Sequence, residues 1–230
     1  MKKVVVFAIL LIASVSFQQV GFAADPVSKT LAKADIEVTS SGDGTYEIKE
    51  HISLKGDGEL SGDQIEHTYS KINDIDPEEV KFISDQTELS FTTDESDSLV
   101  RYFVTIPENT TDSFDYEITY NLSLEEDVFT TPLFVPLHAA TGQENVVKID
   151  FETSEGNIVQ RNSFPVLKKA EDNQVTSYLM NIPSHVNYIY GAEKNIFNTF
   201  NFVSWASILV LLGIITVWIR SEVRSKGVVN

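Results

Sequence analysis

The run "KGDGELSGDQIEHT", residues 55–68, is where this chain comes nearest to a metal-binding motif. Counted from Asp57, oxygen-bearing side chains fall at alternate positions: Asp57, Glu59, Ser61 and then Asp63, with Gly62 sixth for a sharp turn. That is the first half of an EF-hand calcium loop. The second half departs from it. Position 12, where an EF-hand supplies a bidentate Glu, is Thr68, and position 8 is Gln64 where an apolar residue pairs with a partner loop. Asp57, Glu59 and Asp63 are therefore a candidate calcium site of the weak extracellular kind, carried by an acidic loop between strands. Calcium is the one cofactor this sequence suggests.

Other reactive residues do not assemble into a motif. The four histidines, His51, His67, His138 and His185, form no HExxH or HxH pair, and there is no cysteine to complete a zinc set. Serines are plentiful, but no GxSxG elbow surrounds any of them. The carboxylate pairs Glu78–Glu79 and Glu125–Glu126 are adjacent in sequence. On a strand, neighbours point to opposite faces, so neither pair is expected to converge across a sugar-binding cleft. The sequons at Asn109 and Asn121 read as chance matches, Asn121 lying inside a strong strand pattern. No catalytic residue is expected, and the chain reads as a non-enzyme.

The elements that would carry these residues alternate with period two. "DIEVTSSGDGTYEIKEHISL" outlines a hairpin, with Ser41-Gly42-Asp43-Gly44 as its turn. Tyr46, Ile48, Ile52 and Leu54 share one face of its second arm, and Glu50 interrupts them. "FDYEITYNLSL" is the cleanest strand, apolar from Phe114 to Leu124 at every second residue. "LVRYFVTIP" precedes it, "EEVKFIS" and "TELSFTT" suggest a hairpin around Asp85-Gln86, and "VVKIDFET", "VTSYLMNI" and "HVNYIYG" supply further strands. Sustained helical periodicity is missing from this region. The expected fold is all-β, an antiparallel Ig-like β-sandwich, as one large module or two small ones divided near residues 127–136.

Both ends are apolar. Residues 1–23 read as a signal peptide, with Lys2 and Lys3 before the Val4–Val15 core and Gly21 and Ala23 at the cleavage site; the form is bacterial. Phe202 to Ile219 is an uncharged run with Trp205 and Trp218 near its two ends, followed by Arg220, Arg224 and Lys226. At 1.5 Å per residue its 18 residues reach about 27 Å, close to the hydrocarbon core of a bilayer. The positive-inside rule leaves residues 220–230 in the cytoplasm and residues 24–200 outside. That exported region holds 33 of the 34 acidic residues and 12 of the 17 basic ones, a net charge of −21. Such a field repels nucleic acid and anionic lipid.

The segments "ADIEVTSSGDGTYEIKEHISL", "YEITYNLSL" and "NVVKIDFETSEGNIV" together resemble a group of bacterial membrane proteins of uncharacterised activity. In that group a signal peptide precedes a β-sandwich ectodomain and a transmembrane helix. Arginine- and tryptophan-bearing segments expected between those strands are not recognisable here, so the resemblance implies the fold and not an activity. The functional expectation is a single-pass, membrane-anchored interaction module whose partner is another protein, such as a second membrane protein. A carbohydrate- or cell-wall-directed binding module or hydrolase, and a calcium-dependent adhesion module, are the alternatives.

Overall fold

The computed structural model describes residues 29–56, 64–108, 110, 112–125, 128–168, 172–192 and 199–226. The signal-peptide segment, residues 1–23, lies outside them. The described chain is mostly β, with a single C-terminal helix, α1 (Thr199–Lys226).

The opening hairpin forms as its pattern requires. Strands β1 (Lys29–Ser40) and β2 (Thr45–Gly56) pair antiparallel from Lys29↔Gly56 to Ser40↔Tyr46. Gly42 and Gly44 take φ of +84° and +92° in the turn, a backbone region that strains any residue with a Cβ. On its other side β2 pairs with β8 (Ser113–Ser123), whose side chains alternate between exposed or half-buried and buried along its whole length. Next to β8 come β4 (Glu78–Ser84) and β5 (Thr87–Glu88), joined through Asp85 and Gln86, both at positive φ as a tight two-residue hairpin turn needs. The "TELSFTT" run then splits. Its second half, β6 (Phe91–Glu95), belongs to a different sheet.

Two sheets result. The larger has seven strands in the order β13-β11-β1-β2-β8-β4-β5, where β11 is Val147–Thr153 and β13 is Gln174–Leu179. The smaller has four, β10-β3-β7-β6, where β3 is Gln64–Ser70, β7 is Leu99–Thr105 and β10 is Phe134–Pro136. One pairing differs from the antiparallel expectation: β1 and β11 run parallel, from Ala34↔Val147 to Ser40↔Thr153. β2 occupies only one edge of β1, and the chain returns to the other edge long after building the second sheet. It therefore meets β1 by a crossover and not a hairpin, which local turn signals do not encode.

Aromatic rings fill the space between the sheets. Phe134 of β10 lies 5.0 Å from Tyr120 of β8, 5.8 Å from Phe82 of β4, 5.1 Å from Tyr69 and 4.9 Å from Tyr102. Such tilted and edge-on pairs add about 0.5–1.5 kcal/mol each beyond the area they bury. Two short ladders extend this core: β9 (Thr130–Pro132) with β14 (His185–Asn187), and β12 (Ile158–Val159) with β15 (Tyr190–Gly191). They bring Tyr188 onto Phe151 of β11, stacked at 4.6 Å.

Candidate functional site

The residues with the most unusual chemistry are sealed between the sheets. Glu50 is the interruption in the apolar face of β2, and the alternation carries it inward with Ile48 and Ile52 until it is fully buried. Its Oε1 accepts from the Phe134 backbone N–H at 2.9 Å and lies 2.8 Å from the Tyr120 hydroxyl. That hydroxyl is also 2.9 Å from the Pro132 carbonyl oxygen. Oε2 has no hydrogen-bond partner among the described residues. Burial pushes the carboxyl up to about 8, although the contacts from Phe134 and Tyr120 pull the other way.

His67 reaches the same interior from the opposite sheet. It alternates with Ile65 and Tyr69 on the inward face of β3 and is fully buried. Its Nε2 lies 2.7 Å from the Tyr116 hydroxyl of β8, and the two rings meet edge-on at 5.4 Å. Burial holds the imidazole down to about 3, with His138 adding to the effect. Burial, and then the nearby Glu50 carboxyl, raises the Tyr116 and Tyr120 phenols. This set contains an acid kept from ionising and a histidine kept neutral. Its hydrogen bonds to Tyr120, Phe134 and Tyr116 bridge β2, β3, β8 and the β9–β10 segment. In the sequence Glu50 shows only as an irregularity of an apolar face and His67 as a histidine outside any ligand motif, although the pattern Ile65-x-His67-x-Tyr69 places it inward.

A second polar cluster lies at the β1–β2 turn. Tyr190 of β15 sets its hydroxyl 2.6 Å from Ser40 Oγ and 3.1 Å from the Tyr46 hydroxyl. Beside it opens a cleft of about 410 Å³, with Asp43, Glu125, Phe129 and Asn157 on its walls. The solvent face of the large sheet carries a broader groove of about 610 Å³ along β1, β11 and β13. There Lys148 Nζ donates to Asp150 at 2.5 Å and Thr176 Oγ1 donates to the same carboxylate at 2.6 Å. Exposed pairs of this kind are worth at most about 1 kcal/mol.

Asp57, Glu59 and Asp63 lie outside the described residues. The strands they join, β2 and β3, belong to different sheets. Thr68, twelfth in the loop count, is a ladder residue of β3 whose hydroxyl donates to the Val135 carbonyl at 3.3 Å. Among the described residues, no group of three or more His, Asp or Glu side chains is arranged to hold a metal ion. His51 is exposed on β2, its Nε2 2.9 Å from Glu117, and His185 Nδ1 lies 3.2 Å from Ser184 Oγ. Glu78 and Glu79 do not alternate. A bulge in β4 with Glu79 at φ +53° leaves both carboxylates exposed. Glu125 is exposed, and Glu126 lies outside the described residues.

Helix α1 contains one stretch, Phe202–Val223, that is long and apolar enough to cross a membrane. Its mean hydropathy is 2.3 and none of it is buried against the rest of the chain. Its 22 residues rise about 33 Å. Ser207 and Thr216 donate their hydroxyls back to the Val203 and Leu212 carbonyls at 2.8 and 2.7 Å, so both are satisfied within the helix.

No protein-family model matches the chain, and no curated protein does. Among solved structures, native yeast leukotriene A4 hydrolase is similar over 70% of this chain and 29% of that one, at 13% identity and a TM-score of 0.42. An M1 zinc metallopeptidase from Deinococcus radiodurans is similar over 71% of this chain and 42% of that one, at 9% identity and a TM-score of 0.36. The chain thus spans less than a third of the yeast enzyme and under half of the bacterial one.

Proposed function

We propose that this chain is a membrane-anchored, non-enzymatic interaction module. Its β region, an Ig-like sandwich, stands outside a bacterial cell and binds another protein or stabilises a membrane complex. Helix α1 crosses the bilayer once, with Arg220, Arg224 and Lys226 on the cytoplasmic side. The observation that carries this reading is where the perturbed groups lie. In an enzyme, strongly shifted acids and histidines gather in a cleft that substrate can enter. Here Glu50 and His67 are fully buried, and their hydrogen bonds go to Tyr120, Phe134 and Tyr116. They serve to join sheets. The acidic exterior, at −21 over residues 24–200, favours a basic partner surface and keeps the module off nucleic acid.

Two measurements test this. The chain has no cysteine, so single cysteines at Ser96 and Ser225 are unique handles. In intact cells a membrane-impermeant maleimide is expected to label S96C and to spare S225C until the membrane is opened. Purification of the full chain from detergent-solubilised membranes is expected to recover a second protein in fixed ratio. Recovery of this chain alone, after cross-linking in the membrane, would count against the interaction reading.

A further inference from the structure

Residues 24–200 are acidic as a whole, but the charge is not evenly spread. Between Glu155 and Glu171 no acidic residue occurs, while Arg161, Lys168 and Lys169 supply three of the region's 12 basic ones. Residues 160–168 of this stretch are pinned to the last strands before helix α1. Phe164 and Asn187 exchange both backbone hydrogen bonds, at 2.7 and 2.8 Å, and the Gln160 N–H donates to the Ile189 carbonyl at 2.7 Å. The Ile189 N–H in turn donates to Ser163 Oγ at 3.0 Å. Ser163, Pro165 and Leu167 are buried, which turns Phe164, Val166 and Lys168 outward. Phe164 stays 43% exposed and Val166 75%. Two bare apolar side chains set between an exposed arginine and an exposed lysine have the chemistry of a surface that enters a headgroup layer.

Chain length decides which surface lies within reach. Six residues separate Ala192 from Thr199, and the seven Cα steps between them span at most about 25 Å. Tyr190, just before that link, is tied to Ser40 and Tyr46, at the end of the large sheet where β2 begins and β8 finishes. With α1 in the bilayer, that end is held close to the lipid surface. Its tip carries Asp43 and Glu125, which lipid phosphates repel. The flank beside it, where Val159 pairs with Tyr190, leads straight into residues 160–168, whose charge complements phosphate. Resting on the reading of α1 as the anchor, we propose that this segment seats on the outer face of the bilayer. Phe164 and Val166 enter the headgroup layer, Arg161 and Lys168 meet lipid phosphates, and the module lies on this flank instead of standing on its acidic tip.

Fluorescence quenching in the full chain tests the contact. The protein has no cysteine, so N162C, S113C and L211C each carry a single environment-sensitive label. Asn162 is exposed within the segment, and Ser113 opens β8, whose 11 residues carry it about 34 Å from the Ser123 end. The chain is reconstituted into vesicles of phosphatidylcholine and phosphatidylglycerol that bear a nitroxide either near the headgroup or deep in the acyl region. The headgroup nitroxide is expected to quench the label at N162C at least about twofold more than that at S113C, with a blue-shifted emission. V166E added to N162C should bring quenching down to the S113C level. K168E should lower it too, and by more with phosphatidylglycerol present than in phosphatidylcholine alone. The deep nitroxide should quench L211C. If L211C is quenched while N162C and S113C respond alike, the surface contact is overturned and the anchor stands. If L211C is not quenched, the anchor falls and the contact with it. Quenching at N162C that survives both V166E and K168E overturns the assignment to these side chains.

Discussion

The Tyr190 hydroxyl sits 2.6 Å from Ser40 Oγ, tying the last strand before the apolar helix to the first hairpin across 150 residues of sequence. The same hydroxyl lies 3.1 Å from that of Tyr46. Its ring keeps separate contacts with Phe129 at 5.1 Å and Phe151 at 5.7 Å. Y190F therefore removes the hydroxyl contacts and leaves the packing. A loss of about 1–2 kcal/mol in urea unfolding is expected, with an unchanged denaturant slope. A larger loss, or a changed slope, would mean that the ring and not the hydroxyl makes the tie.

Stability should peak in mild acid, because Glu50 and His67 are shifted in opposite directions. The Glu50 carboxyl rises from 4.5 to about 8 on folding, so the folded state holds a proton that the unfolded chain has shed. Its contribution is complete below 4.5 and is lost as pH climbs through 8. The His67 imidazole falls from 6.5 to about 3, so its contribution is complete above 6.5 and is lost as pH drops through 3. The two slopes cancel between 4.5 and 6.5, leaving a plateau there and a fall of a few kcal/mol on each side. Melting temperatures from pH 3 to pH 9 should trace that dome. E50Q should flatten its alkaline limb, and H67F its acid limb.

Much of this architecture can be read from period-two patterns, and the interior polar set follows from the same rule applied without exception. β1, β2, β8 and β11 fall where alternation places them because each buries one face, and a slip of one residue would expose it. That logic puts Glu50 and His67 inside. Their pairing is not legible in the sequence, because they lie on different sheets and nothing local tells a strand which sheet it joins. The turn after Pro107 shows the difficulty: β7 and β8 look like hairpin arms, yet they belong to opposite sheets. The parallel β1–β11 pair is hidden for the same reason.

Glycines at the turns separate two physical costs. Gly44 has φ +92°, and a Cβ there would stand 2.4 Å from the Leu124 carbonyl oxygen. Gly156 has nearly the same φ, +89°, with nothing within 4 Å of a Cβ. G156A is expected to cost about 1 kcal/mol, the left-handed backbone alone. G44A carries that penalty plus a backbone clash and should exceed it severalfold, on the scale of a disrupted hairpin. Equal losses in chemical denaturation would show that the hairpin end yields to the added methyl.

The bare surface of α1 makes its own test. Leu211 is exposed to the surroundings in the middle of the apolar stretch. An arginine there is expected to cost about 2.5–3.5 kcal/mol of membrane insertion. L211R should therefore move a substantial share of the chain into the carbonate-extractable fraction. L211F should remain with the membrane, and extraction of both alike would remove the helix as the anchor.

The acidic loop can be judged by affinity class. Thr68 is held in the β3 ladder, with its hydroxyl given to Val135, so it cannot close a coordination sphere as the twelfth EF-hand residue does. A site built on Asp57, Glu59 and Asp63 alone would belong with extracellular sites that bind at about 10⁻⁴–10⁻³ M. Calorimetric titration of the full chain is expected to show no micromolar binding. Any rise in melting temperature should be confined to millimolar calcium and abolished in the D57N/D63N double variant. Magnesium at the same concentration should not reproduce it, since the smaller ion demands near-ideal octahedral geometry and gives up its water reluctantly. Micromolar binding would mean that the loop recruits further oxygens, and an unchanged response in the double variant would place the calcium elsewhere on the acidic surface.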